Sequence, residues 1–275
     1  MTVPFRASRA LKRRPRADKP LTIAAVRPNE GIRTAYQRRL ERLVDEMAKS
    51  VAYWVTAAYR ANTPEMAQDA SPAMAMRAVV RRLTRRWQKR FDQAAPEMAD
   101  YFATAVGERT DGALAAILKR AGISVEFRLT AAANDVLQAT VGENVSLIRS
   151  IASEYLSDVE GLVMRSVQAG RDMGALSEAL QARHGVTKRR AAFISVDQNN
   201  KATAAINRVR QEELGIEEAV WLRSNGGKKP RPDHVAYSGK RYKVKEGAYI
   251  SGEYIYPGQK PRCRCVSKSI VPGFS

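Results

Sequence analysis

Apolar positions recur at helical spacing along most of the chain. From residue 30 to 61, the series Ile32, Tyr36, Leu40, Leu43, Met47, Val51, Trp54 and Ala58 advances in steps of three and four, close to a heptad seam, and predicts one long helix. Thr63 and Pro64 stop it. A second helix is predicted over 72–91, with Val80, Leu83, Trp87 and Phe91 on one face. A third follows Pro96, runs through Phe102, Val106, Leu114, Ile117 and Leu118, and stops at Gly122. Residues 125–129 read either as a short strand or as a helix lead-in. The stretch 144–167 carries Ile148, Ile151, Tyr155, Leu162 and Val163 at helical spacing and ends near Gly170. A short helix over 175–184 closes at Gly185. Thr187 then reads as the N-cap of a helix over 188–214, closed by Gly215.

From Trp221 onward the helical period disappears. Tyr237, Tyr242, Tyr249, Tyr254 and Tyr256 alternate with Lys, Gly and Pro, and the strand candidates are 219–222, 241–244, 254–256 and 266–270, with Ser238-Gly239 as a turn. The fold class expected is therefore mostly α with a small α+β C-terminal unit: an extended helical body behind a basic, disordered N-terminal arm. The expected segments are an arm at 1–28, a helical region at 29–142, a second helical part at 143–218 and a β-containing unit at 219–275. No period of 20 to 50 residues recurs, which argues against a solenoid.

Charge changes the picture. The 275 residues carry 47 Lys and Arg against 28 Asp and Glu, a net +19, which points to nucleic acid, an acidic partner or anionic lipid. Three regions concentrate it. The arm holds Arg6, Arg9, Lys12, Arg13, Arg14, Arg16 and Lys19 against Asp18 alone. The 72–91 helix holds Arg77, Arg81, Arg82, Arg85, Arg86, Lys89 and Arg90 with no acid among them. Such a run repels itself by a few tenths of a kcal/mol per i,i+4 pair unless something negative neutralises it. It reads as a solvated face or as a polyanion surface. In the C-terminal unit, Lys240, Arg241, Lys243 and Lys245 lie among Tyr237, Tyr242 and Tyr249, which suits core or edge packing more often than the alternative, a base-stacking platform for single-stranded RNA. No element resembles a base-reading recognition helix. No apolar stretch reaches the roughly 20 residues of a membrane span, and the basic N-terminus has no apolar h-region behind it, so neither a span nor a secretory signal is expected.

Catalytic motifs are scarce. Gly226-Gly227-Lys228-Lys229 lacks both the earlier glycine and the following Ser or Thr of a phosphate loop, since Leu222 and Lys229 stand there. The group with chemical potential is Asp233-His234 followed by Cys263-x-Cys265. A CxC pair suits a reducing compartment better than a disulfide. Thiolates and imidazole suit Zn²⁺, with His234, Cys263 and Cys265 as three ligands and Asp233 or water as the fourth. Two other readings stand beside this structural zinc: packing and hydrogen bonding, or a nucleophilic cysteine activated by His234 and by Lys260, Arg262 and Arg264.

The order of features, Asn144 with Leu147 and Ile148, the Gly170 to Leu176 turn, Arg190-Ala191-Ala192, Trp221-Leu222-Arg223-Ser224, Arg231-x-x-His234, Ser238-Gly239, Tyr256-Pro257 and Arg262-Cys263-Arg264-Cys265, resembles the phage head morphogenesis family of minor capsid proteins, the Mu F-like proteins. The likeness covers roughly 143–271. Where relatives commonly read R-A-x-x-I-A-R-T-E, this chain has Arg190-Ala191-Ala192-Phe193-Ile194-Ser195-Val196-Asp197 and lacks the Arg-Thr-Glu tail. The resemblance implies a low-copy structural protein, not an enzyme, located in the virion head or neck and in the host cytoplasm during assembly. Its implied partners are the portal protein, a major capsid or scaffolding protein, and double-stranded DNA bound non-specifically. It also implies a shared structural job for His234, Cys263 and Cys265. The alternatives are an enzyme acting on nucleic acid or protein through the Cys/His group, and a basic RNA- or DNA-binding protein.

Overall fold

The computed structural model describes residues 20–61, 71–170, 172–224 and 230–272. Arg13, Arg14 and Arg16 of the basic arm and the Gly226-to-Lys229 stretch lie outside the described residues. The chain order is β1 (Leu21–Thr22), α1 (Glu30–Ala61), α2 (Pro72–Arg120), α3 (Ala131–Gln168), α4 (Met173–Glu213), β2 (Glu218–Leu222), α5 (Pro232–Tyr237), β3 (Arg241–Lys243), β4 (Ala248–Ile250), β5 (Glu253–Ile255) and β6 (Val266–Val271). The protein is mostly helical, with its strands gathered near the C-terminus, as the apolar pattern predicts.

α1 begins on Glu30 and has Arg60 in its last turn, each matched to the helix dipole. Its buried stripe runs Tyr36, Leu40, Leu43, Val44, Met47, Val51, Val55 and Tyr59. The expected seam slips by one residue near its end: Trp54 is 43% exposed and stacks edge-on against Tyr53, while Val55 takes the inward position. A helix of 3.6 residues per turn drifts off a strict heptad by this amount over a few turns.

Two predicted breaks are absent. α2 runs for 49 residues straight through Pro96. A proline inside a helix costs roughly 3 kcal/mol. Phe91, Met98 and Phe102 are all buried around it, and each such side chain contributes about 1.5–3 kcal/mol on burial, enough to outweigh it. α4 likewise runs for 41 residues across Gly185. Thr187 is not a cap there; its hydroxyl donates to the Arg183 carbonyl one turn back, 3.0 Å away, inside the helix. The real cap is Asp172, whose Oδ1 accepts the Ala175 N–H at 3.0 Å. α4 ends as expected at Gly215, at φ +69, where the Ile216 N–H reaches the Gln211 carbonyl at 2.9 Å and the Gly215 N–H the Glu212 carbonyl at 3.0 Å. α3 starts at Ala131, well ahead of the expected 144, because an alanine-rich lead has high helix propensity but little apolar periodicity. Residues 125–129 form neither strand nor helix.

The chain divides into two compact units. Both are assembled from separated stretches, so they cut across the four linear segments read from the sequence. One comprises Glu30–Phe102 and Ala139–Gln198. Its core holds Tyr36, Leu40, Met47, Phe91, Phe102, Ile148, Ile151 and Tyr155, with Tyr36 and Phe102 stacked at 4.4 Å between centroids. The other comprises Met1–Asn29, Ala103–Gln138 and Asn199–Ser275. It contains a four-stranded sheet in the order β1-β6-β2-β3, antiparallel throughout, and the β4-β5 hairpin. Its core joins Leu114, Leu118, Ile216, Trp221, Val244, Ile255, Cys263 and Cys265. The arm assignment to residue 28 needs correction at its end. Leu21 pairs with Val271, and Ile23 and Val26 are buried in this core, because an apolar LTIAAV run follows Pro20.

Candidate functional site

Three short pieces of the β-containing unit build the site. β2 alternates exposed and inward positions, which drives the indole of Trp221 fully inside. α5 starts with Pro232 in its first turn and turns His234 inward, leaving it 3% exposed. On the turn and short run into β6, Arg262 and Arg264 are exposed while Cys263 and Cys265 are buried. Arg262 itself sits at φ +58, a left-handed conformation that costs a non-glycine residue of order 1 kcal/mol. The turn it makes is closed by the Cys263 N–H on the Lys260 carbonyl at 2.8 Å.

These pieces converge on a buried trio. His234 Nδ1 lies 3.5 Å from Cys263 Sγ and 3.6 Å from Cys265 Sγ, and the three ligand atoms are all within 4.8 Å of one another. The imidazole stands edge-on to Trp221 at 5.1 Å. His234 Nε2 and Trp221 Nε1 are both buried with no hydrogen-bond partner among the described residues. The Cys265 thiol is turned toward Cys263, which pushes the Cys263 thiol down and the Cys265 thiol up.

Asp233 does not join the trio. Burial works slightly against its charge, but Oδ1 accepts the His234 backbone N–H at 2.8 Å and Oδ2 accepts the Ser251 hydroxyl at 3.0 Å, and these hold its carboxyl below the usual range. A carboxylate one residue before the histidine on a helical turn points toward the free N–H groups of that turn, away from the imidazole.

The basic residues separate into two kinds. On α2, Arg77, Arg81, Arg82, Arg85, Arg86, Lys89 and Arg90 are all exposed, and none has an ion-pair partner among the described residues. On β3 the charges are largely answered: Arg241 faces Glu218 at 3.4 Å and Lys243 faces Glu246 at 3.0 Å, while Lys240 lies over the Tyr237 ring at 5.5 Å. Of the tyrosines beside them, Tyr242 is buried with its hydroxyl on Ser267 at 2.7 Å, and Tyr237 packs against Trp221. Tyr249 is 59% exposed and pairs across the hairpin with Tyr254, equally exposed, at 5.1 Å.

Sequence reasoning missed a set of buried polar residues. In the helical unit, Asn144 Nδ2 donates to Gln198 Oε1 at 2.9 Å and to the Thr140 carbonyl at 2.8 Å, Tyr36 donates to Asn144 Oδ1 at 2.9 Å, and Gln198 donates to Glu143 at 2.9 Å. In the β-containing unit, Arg210 is 4% exposed and forks onto both oxygens of Asp111 at 2.8 and 2.7 Å, with Glu213 at 2.8 Å and the Arg128 carbonyl at 3.0 Å. The available signal was spacing: Asn200, Thr203, Asn207 and Arg210 recur every three or four residues with Gln211 adjoining, a polar stripe that reads by default as a solvated face and is instead buried.

The architecture defines a largely helical protein whose small β-containing unit is organised around an inward His/Cys/Cys group. Residues 157–268 match the family model described as Phage Mu protein F like protein, and this match supports a phage head morphogenesis family. The chain is also similar to an uncharacterized protein of Haemophilus influenzae, 30% identical over 149 residues, 54% of this chain and 32% of the relative. The chain thus spans about a third of the length of the curated relative it matches. No solved structure matches. Among the described residues, no helix is long and apolar enough to cross a membrane.

Proposed function

We propose that this chain is a structural minor head protein of a tailed phage that docks at the portal or capsid vertex and lays cationic surface against packaged double-stranded DNA without reading its sequence. The observation that carries the DNA contact is the arginine face of α2: seven exposed cations within 72–91, no acid among them, and no ion-pair partner among the described residues. At 1.5 Å rise per residue, the span from Arg77 to Arg90 is about 20 Å. That length matches roughly six phosphates of one strand at about 3.4 Å each. Arg77, Arg81 and Arg85 form one row, and Arg82, Arg86 and Arg90 a second beside it. The answered charges of β3 make Lys240, Arg241 and Lys243 the weaker part of the surface. The burial of His234, Cys263 and Cys265 favours a structural duty for them over nucleophilic catalysis.

Two measurements test the two halves of this reading. Titrating duplex DNA at several salt concentrations should give a log K against log salt slope that becomes about 3 to 4 units shallower when Arg81, Arg82, Arg85 and Arg86 are all replaced by Ala, equally for unrelated sequences. An unchanged slope removes the α2 contact. Mass spectrometry of purified virions and procapsids should find the chain together with portal protein; its absence from both removes the head assignment.

A further inference from the structure

We propose that His234 Nδ1, Cys263 Sγ and Cys265 Sγ bind one zinc ion, with a water molecule as the fourth ligand, and that this ion pins the β-containing unit together. The inference does not rest on the head-protein reading and stands or falls by itself. With Zn–N of about 2.0–2.1 Å and Zn–S of about 2.3 Å, a tetrahedral angle sets nitrogen and sulfur about 3.6 Å apart. The observed separations are 3.5 and 3.6 Å.

Hydrogen bonding alone accounts poorly for that symmetry. A ring nitrogen carries one in-plane lone pair or one proton, so it makes one good hydrogen bond, yet His234 Nδ1 stands equally near two sulfurs. A cation placed between them satisfies all three atoms at once. Both thiols are buried while their arginine neighbours are exposed, and the turn that delivers Cys263 keeps Arg262 in a left-handed conformation.

The ligand count is three. Asp233 is committed to its own helix turn and to Ser251. No other Cys, His, Asp or Glu of the described residues joins the group. Among the described residues, solvent is therefore the remaining donor. The gain is in folding: the strands of this unit are three to six residues long apart from the two-residue β1, and the ion would close a loop of 29 residues between His234 and Cys263.

The test is metal analysis of the full-length chain purified without chelator. One zinc per chain is expected, falling at least tenfold in Cys263→Ser, Cys265→Ser and His234→Ala. Because those variants could lose metal by misfolding, the wild-type chain is also stripped with chelator and refilled with Co²⁺. Intense sulfur-to-cobalt absorption with tetrahedral d–d bands, together with a raised thermal midpoint that Mg²⁺ does not reproduce, supports the site. Asp233→Asn should keep the full zinc content and the cobalt spectrum; its losing either overturns the three-residue ligand set. Less than a tenth of an equivalent of zinc, with no cobalt–sulfur band from reduced protein, overturns the site altogether.

Discussion

The two units treat buried polarity differently. In the helical unit, Tyr36, Asn144, Gln198 and Glu143 form a chain in which each member meets a partner, and the buried atoms left over are the Nε atoms of Arg183 and Arg190, whose other nitrogens are bonded to Asp158, Glu154 and Ser150. In the β-containing unit, Asn199 Oδ1, Asn200 Nδ2, Asn207 Oδ1, Trp221 Nε1 and His234 Nε2 are buried without partners among the described residues. An orphaned buried polar group costs about 1–3 kcal/mol. Among the described residues, the helical unit thus answers its side-chain polarity more fully than the β-containing unit does. Asn200 and Asn207 line a small pocket with Arg208, Tyr256 and Cys265, a polar setting suited to ordered water. The unit's well-closed polar groups include the Arg210 cluster and the Gln211, Ser267, Ser269 and Tyr242 set.

The contrast can be broken at its strongest point first. Arg210→Ala leaves Asp111 and Glu213 facing each other without their cation, so a loss of about 3–5 kcal/mol is expected in denaturant unfolding. A loss below 1 kcal/mol would mean that the cluster is looser than its geometry. Asn144→Ala strands the Tyr36 hydroxyl and the Gln198 amide, and should cost about 2–3 kcal/mol in the helical unit. If the loss is negligible, that network is not closed after all. Gly258→Ala comes next. The glycine sits at φ +82, and an added Cβ would stand 2.9 Å from Ala204 Cβ and 3.2 Å from the Asn200 carbonyl, so the strand connection must lift off α4. An expected cost of about 1–2 kcal/mol is readable as a lowered thermal midpoint.

The smallest effect is acid sensitivity at Asp45. Slight desolvation works against its charge, but His184 Nε2 at 2.7 Å and Lys188 Nζ at 3.2 Å hold its carboxyl below the usual range. A folded-state pKa below the unfolded one contributes stability at neutral pH, and that contribution fades as pH falls below about 4. Asp45→Asn should flatten the stability profile in that acid range while lowering stability slightly at pH 7; a profile with unchanged curvature would remove the assignment.

Legibility differed by the kind of interaction. α1, β2, β3 and β6 were readable almost residue by residue, because burying one face imposes a period of 3.6 or 2 on the apolar residues. Pro96, Gly185 and Thr187 misled, because a local break signal weighs less than the burial of the side chains around it. Asn144 was singled out through a family likeness, yet its partners Tyr36 and Gln198 lie 108 and 54 positions away, where no spacing rule reaches. Cys263 and Cys265 were recognisable as a pair and His234 as a candidate companion, but Asp233, equally eligible by type, was excluded only by the direction in which its side chain leaves the helix.

The amino-acid order alone determined the helical body, the strand-rich C-terminal stretch and the excess of positive charge, since each follows from local periodicity or from counting. The folded chain decided the rest: which cations on α2 stand unanswered and which on β3 meet glutamates, that a polar stripe on α4 is interior, and that one imidazole nitrogen sits evenly between two sulfurs. Those outcomes depend on distances between residues far apart in the chain, and such distances are set by the packing of whole elements.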